Sequence, residues 1–175
     1  MKINKEKRII YYEGPIEGED IEEFNFELIQ MINNSSKKKT KPIKIYINSF
    51  GGELFSAFSI INIIENSEVP IYTYCTGYAH SAAFLIFLAG HKRYAYKHSN
   101  LLYHQIAYGI DTQNIKKILI LNDNMVYSQK EMEKYVLEKT NMPKSLIKKI
   151  RKEHLDYYLR KEDFERYGIC ELIKK

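Results

Sequence analysis

Residues 73–83 read TYCTGYAHSAA and join an apolar, β-branched and aromatic run to a run of small and apolar residues. We interpret residues 70–75 as a buried strand and the residues after Ser81 as a short apolar helix. A serine at a helix start lies beside backbone N–H groups without intrahelical partners, and these favour developing negative charge. The pattern therefore gives two hypotheses for Ser81, an ordinary helix N-cap or a catalytic nucleophile.

A second motif, NSFGG at residues 48–52, lies upstream and begins at the end of a predicted strand at residues 43–48. Paired glycines permit a backbone that points N–H groups into a crevice at the carboxyl end of a parallel strand. A simple strand-to-helix turn also uses glycines. Both interpretations, a turn or an oxyanion site, stay open for Gly51 and Gly52.

The periodicity around these motifs predicts an α/β fold with a largely parallel sheet, because strand and helix patterns alternate. Asp20 followed by Glu23 indicates a capping-box start for the first helix. The predicted strands are residues 8–12, 43–48, 70–75, 93–96 and 101–104, and the first helices are residues 20–32 and 53–66.

Residues 112–140 contain no glycine or proline and carry an apolar stripe, which predicts one unusually long helix that needs a partner surface. Pro143 indicates the start of a further helix, and Tyr167-Gly168 the end of the last one before a short final strand. The chain has 175 residues and no linker-like segment, so we predict a single domain over residues 1–175.

The composition excludes several classes of function. The formal net charge is +5, but the lysines at 37–39 and 41 lie in a polar loop-like stretch, so we expect no nucleic-acid partner. Cys75 and Cys170 are too few for a disulfide framework and lack metal-ligand spacing, so we expect no metal. No segment resembles a signal peptide or spans a bilayer, so we expect no membrane association and a cytoplasmic protein.

A nucleophilic serine needs a base, and the chain offers five histidines. His80 is adjacent to Ser81 and should point elsewhere at a helix start, while His91, His98 and His154 lie in polar or charged stretches. His104 ends an apolar strand, so it is the best candidate base. The alternative for His104 is a satisfied histidine at a strand end.

Three motifs now occur in one order: NSFGG at residues 48–52, GYAHSAA at residues 77–83 and YHQ at residues 103–105. In this order and at these separations the sequence resembles the proteolytic subunit of the Clp protease. The resemblance covers nearly the whole chain from about Lys5 onward. It implies a crotonase-like, ClpP-type spiral of strand-helix units with a protruding handle helix at about residues 112–140.

The resemblance implies a serine endopeptidase with a Ser-His-Asp triad and an ATP-independent peptidase core. Ser81 would be the nucleophile, His104 the general base, and Asp156 the residue that orients the histidine. The backbone N–H groups of Gly52 and Ala82 would form the oxyanion hole. This chemistry needs no metal and no organic cofactor.

The resemblance also implies partners. Peptides or unfolded proteins would be the substrates, and subunits would form a homo-oligomeric ring, a heptamer or two stacked heptamers, with the handle helix against the opposing ring. An AAA+ unfoldase feeds such rings in the family. The chain begins later than typical family members, so we expect the N-terminal axial loops that meet the unfoldase to be missing, which argues against that partner.

The sequence departs from the family pattern at a few positions. Phe50 stands where the family usually has proline, His80 stands where it usually has alanine, and the glycine-rich stretch after the histidine is reduced at residues 106–109. Three alternatives stay open: a non-catalytic Clp-like ring subunit, an acyl-CoA enzyme of the crotonase-like fold, and a maturation protease of a phage or other mobile element.

Overall fold

The computed structural model describes residues 1–35, 41–107 and 114–173. The predicted lysine-rich loop at 37–39, the start of the predicted long helix at 112–113, and residues 108–109 lie outside these ranges. The strands are β1 Lys2–Asn4, β2 Ile9–Glu13, β3 Ile43–Ser49, β4 Ile71–His80, β5 Lys92–Ala95, β6 Asn100–Tyr103, β7 Tyr157–Leu159 and β8 Glu171–Leu172. The helices are α1 Glu19–Asn33, α2 Leu54–Glu65, α3 Ala82–Ala89, α4 Ile115–Lys139, α5 Lys144–Lys152 and α6 Lys161–Arg166.

The chain divides into two compact units. Unit 1 comprises Met1–Tyr103 and Tyr158–Lys175, and unit 2 comprises His104–Tyr157. Strands β1 to β6 and β8 and helices α1, α2, α3 and α6 belong to unit 1, while unit 2 contains α4, α5 and the first residue of β7. The prediction of a single domain stays a prediction.

The sheet runs in the order β1-β2-β3-β4-β5-β8, and β6 pairs with both β4 and β7. The pairs β2–β3, β3–β4, β4–β5, β4–β6 and β5–β8 are parallel, and β1–β2 is antiparallel. The predicted largely parallel sheet is therefore confirmed. Because β3, β4 and β6 run side by side in one direction, the segments that follow them leave the same edge of the sheet.

The two faces of this sheet differ in character. Ile43, Ile45 and Ile47 of β3 alternate into the core and are at most 2% exposed. Helix α3 lies on this face, where the Thr73 hydroxyl donates to the Phe87 carbonyl at 2.7 Å. The opposite face carries tyrosines, as alternation in a half-buried strand requires. There the ring of Tyr74 stacks on those of Tyr46 and Tyr94, with centroid distances of 4.7 and 5.0 Å.

The start of α1 differs from the prediction. Gly18 is the N-cap residue with φ 64, and no side chain caps the first turn. The capping box predicted at Asp20 and Glu23 is therefore wrong, since Asp20 already lies within the helix. Its carboxylate is in the first turn, where negative charge interacts favourably with the helix dipole.

Helix α4 is the long helix expected from the sequence, and its described part has 25 residues. The side chain of Asn114 caps it by accepting from the Lys117 N–H at 3.1 Å. Its buried residues, which include Met132 and Val136, all lie in its second half. Its first half instead exposes apolar side chains: Ile115, Leu119 and Ile120 are 73, 60 and 61% exposed.

In the described parts of the chain, no helix combines the length and the hydropathy that a membrane crossing requires.

Candidate active site

Ser81 forms a one-residue turn between β4 and α3. Its backbone has φ 52 and ψ −123, a positive φ that residues other than glycine rarely adopt. Such a conformation costs on the order of 1–3 kcal/mol and persists only where the surrounding structure enforces it. A strained serine on a sharp strand-to-helix turn is the geometry of a nucleophile elbow.

Two sets of contacts hold this strained turn. The Ser81 N–H donates to the Leu102 carbonyl of β6 at 3.0 Å, and the Ser81 carbonyl accepts from the Phe84 N–H at 3.0 Å. All eight residues of α3 are buried, and burial of a large side chain such as Phe84 or Phe87 contributes about 1.5–3 kcal/mol. The buried helix α3 therefore holds the Ser81 turn on one side, and the hydrogen bond to β6 of the sheet holds it on the other.

The hydroxyl of Ser81 does not cap the helix that it precedes. Ser81 occupies the N-cap position of α3, yet its side chain makes no capping hydrogen bond to the described residues of the first turn. A capping serine uses its oxygen to accept from the N–H of the second or third helical residue. Of the two hypotheses for Ser81, this geometry favours the nucleophile.

Gly51 is packed directly against the Ser81 turn. Its φ is +101, and a Cβ at this position would lie 2.7 Å from both the His80 carbonyl oxygen and the Ser81 Cβ, and 3.0 Å from the Ala82 nitrogen. Gly52, with φ +152, is equally constrained, since its Cβ would lie 2.6 Å from the Ile16 carbonyl oxygen. The glycine pair therefore lets one backbone approach another, which is more than a simple turn requires.

The peptide bond between Gly51 and Gly52 has a defined direction. The Gly51 carbonyl accepts from the Ile16 N–H at 2.8 Å, and the Glu53 N–H donates to the Ile16 carbonyl at 2.8 Å. In a trans peptide the C=O and N–H point in opposite directions. The N–H of Gly52 therefore points away from Ile16, on the side not used by this bridge.

Ala82 supplies a second donor beside Ser81. It is the first residue of α3, so its N–H has no acceptor within the helix and lies at the positive end of the helix dipole. Gly51 lies next to this nitrogen, as the short distance from its Cβ position shows. Gly52 and Ala82 therefore offer two backbone donors in the neighbourhood of Ser81, and their joint action on one oxyanion stays a prediction.

Sequence reasoning missed the role of Asn48. Ile47 aligns with Cys75, but Ser49 aligns with Ala79, so β4 bulges beside Asn48. The Asn48 Oδ1 accepts from the Tyr78 N–H at 3.0 Å and pins this bulge. Gly77 leaves the necessary room, since a Cβ there would overlap the same oxygen. The available signal was an asparagine at a strand end opposite a glycine.

Two of the departures from the family pattern, Phe50 and His80, contact each other. The rings of Phe50 and His80 meet edge to face at 5.4 Å, and both also contact the ring of Tyr78. The Nε2 of His80 donates to the Asn100 Oδ1 at 2.8 Å. His80 is therefore held by Asn100 and the aromatic rings, although it precedes Ser81 in the chain.

In unit 2 the structure brings His104 and Asp156 together. The Nδ1 of His104 lies 3.9 Å from the Asp156 Oδ1, and the two side chains are 23 and 64% exposed. This distance is longer than a hydrogen bond but within the range of an ion pair. The carboxylate therefore faces Nδ1, one of the two ring nitrogens.

Neither thiol of the chain is activated as a competing nucleophile. Burial raises the pKa of Cys75 to about 11, although hydrogen bonds around the thiol oppose part of the change. Burial likewise raises the pKa of Cys170 to about 12. Since the thiolate is the reactive form, both cysteines are inert near neutral pH.

The five predicted site residues fall into two groups. Gly52, Ser81 and Ala82 lie in unit 1, where Gly51, the neighbour of Gly52, contacts the serine turn. His104 and Asp156 lie in unit 2 and contact each other. The meeting of Ser81 with His104, which the triad requires, stays a prediction.

A serine on a strained strand-to-helix turn beside a glycine turn is an arrangement found in hydrolases. Comparison with known proteins gives the family. The family model for Clp protease matches residues 2–175, so the chain belongs to the Clp protease family. Membership implies peptidase activity, and the resemblance inferred from the three motifs is confirmed. Clp proteases generally form oligomeric rings and work with ATPase partners.

Individual relatives agree with this assignment. The chain is 27% identical over 159 residues to the ATP-dependent Clp protease proteolytic subunit 2 of Bacillus licheniformis, covering 86% of this chain and 82% of that protein. A solved structure of a ClpP1 mutant from Listeria monocytogenes matches with a TM-score of 0.83 and 24% identity, covering 98% of this chain and 94% of that chain. The predicted ClpP-type fold is therefore confirmed.

Proposed function

We propose that this chain is a Clp-type serine endopeptidase that cleaves peptides or unfolded proteins through an acyl-enzyme. Ser81 is the nucleophile, His104 the general base and Asp156 the group that orients the imidazole. The N–H groups of Gly52 and Ala82 bind the oxyanion. Family membership supports the class of reaction, and the geometry of the two units supports the assignment of residues.

The strained backbone of Ser81 is the observation that carries this proposal. A serine held at φ 52 by a buried helix is maintained against a conformational cost, although its hydroxyl caps nothing in the described helix. A glycine pair whose carbonyl is turned to Ile16 is packed on the same turn. Together these features present a hydroxyl and two backbone donors, the components needed for acyl transfer.

In the first step, the Ser81 hydroxyl attacks the scissile carbonyl carbon while Nε2 of His104 accepts the hydroxyl proton. The carbonyl oxygen becomes an oxyanion, and preorganised backbone donors stabilise it without rearrangement. The imidazolium then gives its proton to the leaving amine, so the peptide bond breaks and an ester to Ser81 remains. Water hydrolyses the ester with His104 again acting as base.

Asp156 acts on the histidine and not on the substrate. Its carboxylate lies beside Nδ1 of His104, so it favours the tautomer with the proton on that nitrogen. It also stabilises the imidazolium that forms during attack. This mechanism uses only groups of the chain and water.

We also propose that subunits assemble into a heptameric ring or two stacked rings in the cytoplasm. The exposed apolar side chains in the first half of α4, Ile115, Leu119 and Ile120, support this proposal because a contiguous apolar patch indicates an interaction surface. In this arrangement α4 is the handle helix and packs against a second copy of the chain. Native mass measurement of the assembly tests the proposal.

A fluorophosphonate probe tests the catalytic assignment. The wild-type chain should be labelled at a single site, located at Ser81 by peptide mass mapping. Ser81→Ala should abolish labelling and peptide cleavage, because no other hydroxyl is placed on the elbow. Ser145→Ala is a matched control, since Ser145 is an exposed serine in α5, and it should be labelled like the wild type.

Two other results would contradict the proposal. An assembled wild-type chain that no probe labels would favour a non-catalytic ring subunit. Turnover of an enoyl-CoA that survives Ser81→Ala would favour an acyl-CoA enzyme of the same general fold.

A further inference from the structure

Three consecutive residues at the start of unit 2 are each tied to a different side chain. His104 faces Asp156, as described above. The side-chain amide of Gln105 hydrogen-bonds to Nδ1 of His154. The N–H of Ile106 donates to the Gln129 Oε1 at 2.9 Å. The segment that carries His104 is therefore held by specific polar contacts within unit 2.

His154 occupies an unusual backbone position. Helix α5 ends at Lys152 with Glu153 as its C-cap, and His154 follows with φ 53. The Leu155 N–H donates to the Ile150 carbonyl at 3.0 Å and the His154 N–H to the Arg151 carbonyl at 3.4 Å, which is the Schellman arrangement. Glycine is the usual residue here, because a side chain in this left-handed conformation is destabilising.

This turn determines where Asp156 is placed. Asp156 follows His154 by two residues, so the turn that reverses the chain after α5 also positions the backbone of Asp156. The imidazole of His154 contributes nothing to the backbone bonds of the turn, which glycine would form at lower conformational cost. The ring instead forms a hydrogen bond with Gln105, the neighbour of His104 in the candidate site.

A second chain of contacts supports the other end of the segment. The Gln129 Nε2 donates to the Glu133 Oε1 at 2.9 Å, and the Arg151 Nε lies 3.2 Å from the same oxygen. Since Gln129 also accepts from Ile106, these side chains connect the His104 segment through α4 to α5. The contacts thus form a loop that leads from Ile106 to the same turn that carries His154.

The His104–Asp156 pair needs such support. Its atoms are 3.9 Å apart and the carboxylate is 64% exposed, so screening by water leaves the pair with little energy of its own. An exposed aspartate has several rotamers, and its segment must be held if the carboxylate is to stay beside one ring nitrogen.

We propose that Gln105 and His154 are positioning residues, and that their hydrogen bond holds the Asp156 segment against the His104 segment during acylation. The inference rests on the proposed function. It assigns His154 a role in catalysis through Asp156 and His104, without contact to the substrate. It also explains a histidine in a turn that glycine would stabilise.

The decisive variant is His154→Gly in the full-length chain. Glycine suits the left-handed turn, so thermal unfolding should occur at the same or a higher temperature, whereas a merely structural role predicts a lower one. The maximal rate of labelling by a fluorophosphonate should fall by about tenfold, because a misplaced catalytic group loses rate even when all groups are present. The probe concentration for half-maximal rate should stay unchanged.

Gln105→Ala provides an independent test of the same contact. It should lower the maximal labelling rate to a similar extent, and the double variant should be no slower than either single variant, since all three lack one hydrogen bond. His98→Ala, at an exposed histidine in a turn, is the control and should leave all readouts unchanged.

The outcomes separate the two proposals. Labelling of His154→Gly and Gln105→Ala at the wild-type rate would overturn the positioning role and leave the peptidase assignment intact. Additive losses in the double variant would also overturn it, since the residues would then act separately. A wild-type chain that is not labelled would overturn the proposed function and this inference with it.

Discussion

Substitution of Gly51 by alanine tests whether the glycine turn and the Ser81 turn are structurally coupled. The Cβ that Gly51→Ala introduces would lie 2.7 Å from the His80 carbonyl oxygen and from the Ser81 Cβ. Both are atoms of the elbow itself and are held by β4 and α3. The new methyl group therefore displaces the catalytic turn, the glycine turn or both.

The size of the effect follows from two contributions. A side chain at φ +101 costs on the order of 1–3 kcal/mol, and forcing a methyl group against fixed neighbours costs about 1–3 kcal/mol more. Gly14→Ala separates them, because Gly14 has φ +125 but a Cβ there would meet no described atom within 4 Å. We expect Gly14→Ala to lose only the first contribution and Gly51→Ala to lose about 2–6 kcal/mol in total.

Urea unfolding and fluorophosphonate labelling together measure these effects. If the Gly51→Ala variant folds, the probe should label it at least a hundredfold more slowly than the wild type, about the effect of losing one oxyanion donor. Gly14→Ala should keep the wild-type labelling rate. If the two variants unfold at the same urea concentration and are labelled equally fast, a methyl group at position 51 does not displace the Ser81 turn. The proposed coupling of the two turns would then be refuted.

Three further predictions concern other parts of the chain. Asn48→Ala should lower the free energy of unfolding by about 0.5–1.5 kcal/mol and slow labelling, because the Tyr78 N–H in the β4 bulge loses its acceptor. Urea unfolding and probe kinetics check both effects, and an unchanged urea midpoint would contradict the prediction. Cys75 and Cys170 should resist iodoacetamide at neutral pH and react only after denaturation. Burial raises the pKa of Cys75 to about 11 and that of Cys170 to about 12, so both thiols stay protonated. Rapid alkylation of the native protein would contradict this prediction. Leu119→Asp should leave the thermal unfolding temperature of the subunit nearly unchanged but lower the mass of the native assembly, because Leu119 is exposed in the subunit. An assembly of unchanged mass would show that this face of α4 is not an interface.

The sequence was sufficient for much of the fold. The strand patterns at residues 43–48 and 70–75 and the helical patterns between them predicted a parallel sheet, which the pairing of β3 with β4 confirms. The long helix was visible because residues 112–140 lack glycine and proline. These predictions succeeded because hydrophobic periodicity is a local property that tertiary contacts here reinforce.

Features set by contacts between distant segments were not predictable. The strand pattern at 70–75 ends before Gly77, yet β4 continues to His80 because Asn48 pins the bulge from the neighbouring strand. The start of α1 was misassigned since Gly18 caps the helix through its backbone conformation, without a side-chain signal. The turn at His154 was also hidden, because a sequence pattern assigns such turns to glycine or asparagine.

The order of the parallel strands bears on the proposed triad. The glycine pair follows β3, Ser81 follows β4 and His104 follows β6, and both β3 and β6 are parallel neighbours of β4. In a parallel sheet the carboxyl ends of neighbouring strands lie at the same edge. The segments that leave the strands there can differ in sequence and conformation. The register of β6 supports the proposed triad, since Leu102 is aligned with His80 and accepts from the N–H of Ser81. If the triad assignment is right, inserting one residue into β6 should abolish labelling even where the chain still folds, because the insertion rotates every later side chain to the other face.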